Sequence, residues 1–312
     1  MAGTRELILV ARVARGYYLQ DKSKSELAEE LGISRFRVAR LLDAARRDGV
    51  VRIEVITPGA LDTELSTQLQ QRFGLRYSVV LDLSDEDPIM LRTRLGDAAA
   101  ELLTEIATPA DVIGLAWARS LRRLGDVITK LPPCPAVQLT GALTGPDGSD
   151  VLELVRRVAR AGGGPAHVFY APLLADNADT ARTLRSQADV AHAAALVSKV
   201  TIAVVGIGAW EKGQSTIFDI VDASEREDAR AVGVRAEISG ALINDRGEPV
   251  EHPLTQRIIG VTADQLGRID TVLAVAYGAG KADAVRYAVE GGLINALVTH
   301  STLARRLLDD GE

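Results

Sequence analysis

The most constraining feature of this 312-residue sequence is a series of short, continuously apolar runs that starts at residue 77. Seven runs are strand-like, with helical stretches between most of them: Tyr77–Leu81, Asp111–Trp117, Ala136–Leu139, His167–Ala171, Val200–Ile207, Thr271–Tyr277 and Ala296–Thr299. Continuous apolar runs are typical of strands that are buried on both faces, since half-exposed strands alternate apolar with polar residues. The pattern therefore predicts an α/β fold with a mostly parallel, doubly wound sheet that helices cover on both sides.

The first fifty residues have a helical pattern instead. A helix over residues 5–18 would carry four side chains on one apolar face, at spacings of three and four: Leu7, Ala11, Ala14 and Tyr18. Ser23 and Glu26 have the spacing of a capping box, which predicts the start of a second helix. Gly32 ends that helix, because glycine adopts the left-handed conformation at little cost.

Ser34 can cap a third helix, which we expect to run from about Arg35 to Arg47 and to stop before Gly49. On a helical wheel, four residues form one apolar face: Val38, Leu41, Leu42 and Ala45. The opposite face carries Phe36, Arg40, Asp43 and Arg47, with Arg35 and Arg37 at its sides. The helix therefore presents arginines and an aromatic ring to solvent.

Two helices joined by a Gly-Ile-Ser turn predict a helix-turn-helix unit, whose second helix enters the major groove of DNA. The candidate base-contacting residues are Ser34, Arg35, Phe36, Arg37 and Arg40, and the candidate phosphate-contacting residues are Lys22, Lys24, Arg46 and Arg47. A strand over Val50–Ile56 would make the unit winged. The Thr57-Pro58-Gly59 segment predicts a boundary between a DNA-binding domain (1–57) and an α/β domain for effector binding and oligomerisation (58–312). The alternative is an ordinary solvated amphipathic helix.

The charge distribution is compatible with DNA binding by the N-terminal part alone. The chain has a net charge of −6, but residues 1–60 hold 11 Lys and Arg against 8 Asp and Glu, so this part is positive. A single cysteine, Cys134, excludes an intramolecular disulfide and fits a reducing compartment. No apolar run is long enough to span a membrane, and the N-terminus lacks a signal-peptide pattern, so we expect a cytoplasmic protein without a membrane partner.

Three predicted strand ends carry small or polar residues, and ligands of parallel sheets bind at the carboxyl ends of strands. The first is followed by Trp117, Arg119 and Ser120 at the start of a helix, where free N–H groups suit a phosphate. The others are Gly206-Ile207-Gly208 and Tyr277-Gly278-Ala279-Gly280-Lys281. From the strands and their ends, the predicted effector-binding residues are Gly114, Trp117, Arg119, Ser120, Thr140, Gly141, Gly206, Gly208, Gly278, Gly280 and Lys281.

Several common cofactor sites do not fit these glycines. A dinucleotide fingerprint needs glycine at position 211, which is Glu211, and a phosphate loop needs Ser or Thr where Ala282 stands. The four histidines share no metal-ligand spacing with one another or with the cysteine. We therefore expect no cofactor, no metal and no catalytic residue.

Taken together, these features resemble the SorC family of bacterial sugar-responsive transcriptional regulators. The resemblance covers nearly the whole chain and rests on six stretches: KSELAEELGISRFRVARLLDAARRDGVVRIEV (24–55), IGLAWARSL (113–121), VQLTGA (137–142), VVGIG (204–208), AEISGALINDRGEPV (236–250) and AYGAGKADAVRYAVEGGLINALVTHSTLARRLL (276–308). It implies an effector domain similar to ribose-phosphate isomerases and glucosamine-phosphate deaminases. It also implies a phosphorylated sugar as effector, and a homo-oligomer, either dimer or tetramer.

The resemblance also implies roles for single residues. Glu237 matches a family carboxylate near the sugar hydroxyls, and Lys281 matches a position that clamps a phosphate. An ordinary solvent-exposed side chain is the alternative for both. Some relatives form a Schiff base through a lysine near position 140, and Thr140 excludes such an adduct here. Relatives commonly have Thr-Asp before the last helix, where this chain has Thr299-His300.

Two functions remain open from the sequence. The first is a transcriptional regulator of carbohydrate metabolism, which binds a double-stranded DNA operator under control of a small sugar, sugar phosphate or polyol. The second is a sugar-phosphate isomerase or deaminase on the same fold, in which Glu237 and Lys281 would supply the base and the acid. The second function would leave the N-terminal helices unexplained.

Overall fold

The computed structural model describes residues 4–51, 61–83, 87–143 and 151–309. The chain divides into two compact units, Met1–Ile56 and Thr57–Glu312. All but the first two residues of the predicted strand Val50–Ile56, and the whole Thr57-Pro58-Gly59 segment, lie outside the described residues.

The first unit consists of three helices in its described part: α1 (Thr4–Leu19), α2 (Lys24–Leu31) and α3 (Arg35–Arg47). The predicted caps are confirmed. Ser23 and Glu26 form the capping box of α2, Gly32 ends it with a φ of 64°, and the Ser34 side chain accepts the Arg37 N–H at the start of α3. The four residues that were expected on the apolar face of α3 are all buried: Val38, Leu41, Leu42 and Ala45.

The predicted face of α1 is wrong in part. Leu7 is 50% exposed, whereas Val10, Val13 and Ala14 are buried against the residues of α2 and α3. Both sets fit helical periodicity, so the spacing alone did not determine the orientation. The buried face is the one that carries the two valines, because branched apolar side chains at positions 10 and 13 fill the space beside α3.

The second unit alternates helices with strands. Its helices are α4 (Thr63–Phe73), α5 (Pro88–Ile106), α6 (Leu124–Val127), α7 (Val151–Gly162), α8 (Ala178–Arg185), α9 (Ala188–Leu196), α10 (Thr216–Ile220), α11 (Ala223–Ala231), α12 (Pro253–Arg257), α13 (Ala263–Leu266), α14 (Ala282–Glu290) and α15 (Ser301–Leu308). Its strands are β1 (Tyr77–Leu81), β2 (Ile113–Leu115), β3 (Ala136–Gln138), β4 (Ala166–His167), β5 (Ile202–Ala209), β6 (Ala236–Ile238), β7 (Ala241–Ile243), β8 (Thr271–Val275) and β9 (Ala296–His300). Short 3₁₀ turns cover Arg119–Leu121, Val197–Lys199 and Ala279–Lys281.

Seven strands form a parallel sheet in the order β1-β9-β8-β5-β2-β3-β4. Each of the seven predicted runs overlaps one of them, so the mostly parallel sheet is confirmed. The order reverses at β5, since the chain winds toward β4 on one side of it and toward β1 on the other. Such a reversal opens a crevice at the carboxyl ends of the strands, where ligands bind in open α/β sheets.

The hairpin formed by β6 and β7 was not predicted. It pairs antiparallel with the end of β5, with Gly208 opposite Glu237. Ser239 and Gly240 form its two-residue turn with φ angles of 49° and 97°, as a type I′ turn requires. Three-residue strands are too short to show periodicity, but the Ser-Gly pair between apolar residues was a usable turn signal.

Helices cover both faces of the sheet, and β5 shows this most clearly. Its residues alternate between two cores, with Val204 on one face and Val205 on the other. The first core includes Leu95 and Leu103 of α5, and the second includes Leu69 of α4. A strand with all eight residues buried between two helical layers has to be apolar throughout, which explains the continuous runs of the sequence.

Candidate effector cleft

A cleft lies where β2, β5 and β8 end and where the β6–β7 hairpin turns. We call it the cleft throughout. Its polar lining includes Arg119, Ser120, Gln214, Glu237, Ser239 and Lys281, and its apolar lining includes Trp117, Leu173, Ile207, Ile217 and Tyr277. The parallel sheet brings these residues together because their strand ends share one edge.

Glu237 is a buried carboxylate in the middle of β6, with 7% of its surface exposed. Its Oε2 accepts the Gly240 N–H at 2.8 Å, and its Oε1 accepts the Ser215 hydroxyl at 3.2 Å. Burial raises the pKa of Glu237, while these hydrogen bonds and the charge of Lys281 act in the opposite direction. The interpretation of Glu237 as a solvated loop residue is therefore wrong.

The carboxylate can occupy this position because Gly208 lies opposite it. A Cβ at residue 208 would lie 2.5 Å from Oε1 of Glu237 and 2.9 Å from Cα of Ser215. Gly206, two residues earlier in β5, likewise approaches Ala118 so closely that a Cβ would lie 2.5 Å from it. The two glycines thus leave room for the groups that surround the cleft.

Lys281 is a buried cation, with 9% of its surface exposed, so the expectation of an ordinary surface lysine is also wrong. Its Nζ donates to the carbonyl of Ile207 at 2.7 Å and lies 4.9 Å from the ring centroid of Tyr277. Burial lowers its pKa to about 8, against the raising effect of the Glu237 carboxylate. The ammonium group therefore loses and gains its proton near neutral pH.

Arg119 supplies a second cation, and its side chain is 34% exposed. Its Nη2 lies 3.4 Å from Oδ2 of Asp219, whose other oxygen accepts the Gly213 N–H at 2.8 Å. Ser120, beside it, is buried and donates its hydroxyl to the Val275 carbonyl at 3.1 Å. The guanidinium thus lies at the edge of the cleft with one long ion pair.

Six of the predicted effector residues line the cleft: Trp117, Arg119, Ser120, Gly206, Glu237 and Lys281. Three lie just behind it. Gly208 accommodates Glu237, Gly278 has a φ of 87° and donates its N–H to Nε2 of His300 at 3.0 Å, and Gly280 is near the Gln214 side chain. His300, which is buried, thereby fixes the loop that carries Lys281.

The remaining three do not line the cleft. Gly114 is buried in β2 against Leu139, and Gly141 lies so close to Pro172 that a Cβ would be 2.3 Å from its carbonyl oxygen. Thr140 is fully buried, and its hydroxyl accepts the Trp117 N–H at 2.8 Å. Gly114 and Gly141 allow close packing around the strands, and Thr140 holds the loop that follows β2.

Sequence reasoning missed Ser215, Ser239, Gln214 and Asp219 of this site. Ser239 belongs to the hairpin turn, and its hydroxyl accepts the Gly206 N–H at 3.1 Å. Asp219 and Ser215 come from the connection after β5, where no spacing marks them. Their role follows only from the tertiary fold.

The predicted DNA-contacting residues lie together on α3. Arg35, Phe36, Arg37 and Arg40 are all exposed, and the Phe36 ring is 84% exposed. Of the predicted phosphate contacts, Lys22 is 2.5 Å from Glu30 and Arg46 is 2.7 Å from Asp43, so both already have carboxylate partners. The arginines at the start of α3 carry the exposed positive charge of this surface.

Neither a metal-binding cluster nor a membrane-spanning helix occurs within the described residues. No group of three or more His, Cys, Asp and Glu side chains is placed to hold a metal ion there. His167 and His192 lie close together, with 3.4 Å between their ring nitrogens. Across the same residues, no helix has the length and apolar character needed to cross a membrane.

Comparison with known proteins identifies the class of protein to which the chain belongs. Residues 58–309 match a family model described as "putative sugar-binding domain". The transcriptional regulator LsrR of Enterobacter sp. (strain 638) is 32% identical over 308 residues, which cover 96% of this chain and 92% of that protein. LsrR of Escherichia coli K12 is 30% identical over the same share of this chain and 94% of its own length.

Two solved structures agree with this class. The full-length sorbitol operon regulator SorC from Klebsiella pneumoniae superposes with a TM-score of 0.72 at 25% identity, over 99% of this chain and all of that one. The probable sor operon regulator from Shigella flexneri gives a TM-score of 0.69 at 27% identity, over 80% of this chain and all of that one. The chain belongs to the SorC family of sugar-binding transcriptional regulators.

Proposed function

We propose that the protein is a cytoplasmic DNA-binding regulator whose operator affinity is set by a small phosphorylated sugar bound in the cleft. The observation that carries the proposal is the arrangement of charge in the cleft. Two cations, Lys281 and Arg119, suit a phosphate, while the buried carboxylate of Glu237 can accept hydrogen bonds from sugar hydroxyls. An effector of this class presents one anionic group and several hydroxyls.

The DNA-binding part of the proposal rests on the outer face of α3, the second helix of a proposed helix-turn-helix pair formed with α2. Arg35, Arg37 and Arg40 can donate paired hydrogen bonds to guanine, and the exposed Phe36 ring can contact a thymine methyl group. Ser34 contributes through its cap, since it holds the first turn that carries these side chains. A homo-oligomer, dimer or tetramer, would place two such helices on two half-sites.

Control of DNA binding requires that the effector bind more tightly to one arrangement of the protein than to another. Glu237 then serves as a hydrogen-bond acceptor rather than as a catalytic base. The named relatives are transcriptional regulators, which supports a protein that responds to a sugar without converting it.

The effector can be found with a thermal-shift screen of the full-length protein against sugars, polyols and their phosphates. A ligand at a hundred times its Kd stabilises the folded state by about 2.7 kcal/mol, which gives a clear shift. Lys281→Met should abolish the shift, whereas Lys199→Met, which removes an exposed lysine, should retain it. An equal shift in the Lys281→Met protein would contradict binding in the cleft.

The hit is then tested on DNA. Duplexes that the protein selects from a random pool provide an operator, and gel-shift titrations measure its Kd with and without saturating effector. We expect a change of at least fivefold, the lower end of typical allosteric coupling. A ligand that binds but leaves the operator Kd unchanged is not the effector.

A further inference from the structure

A second charged depression lies beside the cleft, between the start of α5 and the turn that follows β2. It is open to solvent and has four arginines in its lining, Arg92, Arg119, Arg122 and Arg123, with a single carboxylate, Asp126. Arg119 lines both this arginine depression and the cleft, so the two spaces share one wall.

Carboxylates of the protein neutralise these arginines only in part. Arg123 is 3.0 Å from Asp97, Arg119 is 3.4 Å from Asp219, and Asp126 is paired with Arg157. Among the described residues, no carboxylate lies within ion-pair distance of Arg92 or Arg122. The Nε of Arg92 donates instead to the Pro88 carbonyl, at 3.0 Å.

This concentration of positive charge contrasts with the rest of the unit. Residues 61–312 hold 25 Lys and Arg against 34 Asp and Glu, so acidic residues outnumber basic ones overall. Four guanidinium groups around one concave space repel one another, and a bound anion removes that cost. Arginine is the side chain best suited to phosphate, because its planar fork donates two parallel hydrogen bonds.

We propose that the arginine depression is a second phosphate-binding site, distinct from the cleft and in contact with it through Arg119. Its ligand is a phosphate group, held mainly by Arg92 and Arg122. The phosphate belongs either to a second phosphoryl group of the effector or to a separate phosphorylated metabolite. The site extends the proposed function but does not depend on it, since the arginines exist whatever occupies the cleft.

The test is a ³¹P NMR titration of the full-length protein with inorganic phosphate at low ionic strength. We expect two saturable sites in the wild type. Arg92→Ala/Arg122→Ala should lose one site, and Arg122→Ala alone should weaken it roughly tenfold, the loss expected for one charge-assisted hydrogen bond. Arg94→Ala removes an exposed charge from the same helix, outside the depression, and should retain both sites.

Lys281→Met separates this proposal from the proposed function. If it abolishes one site and the arginine variants abolish the other, both hold. If the arginine double variant binds phosphate as the wild type does, the second site is refuted while the cleft can still stand. If Lys281→Met has no effect but the arginine variants do, the anion site of the cleft is refuted instead.

The source of the phosphate is decided with ribose 5-phosphate and ribose 1,5-bisphosphate as probes. If one ligand spans both sites, the bisphosphate binds once per chain and displaces inorganic phosphate from both. If the sites are independent, phosphate still binds in the arginine depression when ribose 5-phosphate saturates the cleft. If the double variant loosens the start of α5, the single variant Arg122→Ala tests phosphate binding in the arginine depression instead.

Discussion

The outer face of α3 and the cleft of the α/β unit carry their polar groups in opposite ways. On α3 the side chains project into solvent, as the 84% exposure of Phe36 shows. In the cleft, Glu237 and Lys281 are at least nine-tenths buried, and each has a hydrogen-bond partner in the protein. One surface can contact a large rigid ligand such as DNA, while the other can enclose a small one.

The difference teaches how recognition and stability are connected in each region. The Phe36 ring fills no core position, so a change of this residue should alter the proposed DNA binding without cost to folding. Several polar groups of the cleft are hydrogen-bonded to the backbone of another strand, as Lys281 is to Ile207 and Ser239 is to Gly206, so their replacement should change the proposed effector binding and stability together. Five expected outcomes test this contrast.

The largest effect is expected when Arg35, Arg37 and Arg40 are replaced by alanine together. Each guanine contact contributes about 1–3 kcal/mol of discrimination, so the operator Kd should rise at least 100-fold. Because all three side chains are exposed, the unfolding temperature should change little. Gel-shift and calorimetric measurements on the same preparation check both. A large fall in stability would show that these arginine side chains also stabilise the fold.

Gly208→Ala should lower stability and effector affinity together. The new Cβ would lie 2.8 Å from Cβ of Ser215 and would displace the Glu237 carboxylate, at a cost of about 1–3 kcal/mol. Gly280→Ala is the matched control, because its Cβ would meet nothing closer than Gln214 at 3.6 Å. Chemical denaturation and effector titration measure the two quantities. If the two variants had the same stability and the same effector affinity, the proposed link between packing and binding would be wrong.

Lys281 should make binding of a phosphorylated effector dependent on pH. Its pKa in the free protein is about 8, and a bound phosphate raises it, so affinity should fall as pH rises from 7 to 9. At pH 8, binding should take up about half a proton, measurable by calorimetry in buffers of different ionisation enthalpy. Lys281→Arg should abolish the uptake, since guanidinium stays charged. No uptake by the wild type would place the phosphate away from Lys281.

Lys281 also determines the direction in which the stability of the effector-free protein changes with pH. Its pKa is lower in the folded protein than its ordinary value of 10.5, so the unfolded chain binds the proton more tightly. The free energy of unfolding should therefore rise with pH between about 8 and 10.5, through this group, and its burial as a cation lowers stability below pH 8.

The smallest effect is expected for Phe36→Ala. Removal of one apolar contact with a thymine methyl should weaken operator binding a few-fold, on the order of 1 kcal/mol, without loss of stability. Phe36→Leu retains an apolar contact and serves as the control. If Phe36→Ala unfolds at a lower temperature, the ring has a packing role that its exposure does not indicate.

Local chemistry explains why α3 was predictable from the sequence. Ser34 and Gly32 act within a few residues of their own positions, and the apolar face follows from one period, so a single window contains the information. The parallel sheet was predictable for a similar reason, because each buried strand must be apolar by itself. For α1, however, two apolar faces fitted the same helical period, so the sequence did not determine which of them is buried.

The cleft was only half predictable because it is assembled from distant segments. Lys281 and Arg119 could be named from strand ends, but Asp219, Ser215 and His300 gain their roles from partners that lie far away in sequence. Burial was the quantity that the sequence could not supply. Only the tertiary structure distinguishes the buried Lys281 from an ordinary surface lysine.

The pairing of β1 with β9 has a consequence for how the α/β unit is made. Tyr77 lies beside Ala296, so β1 pairs with a strand that follows it in the chain by roughly two hundred residues. β9 also lies between β1 and β8 in the sheet, and it ends at His300, which holds the loop of Lys281. A nascent chain therefore cannot complete the sheet or the cleft until β9 has been synthesised, and a product truncated before β9 should neither fold stably nor respond to the proposed effector.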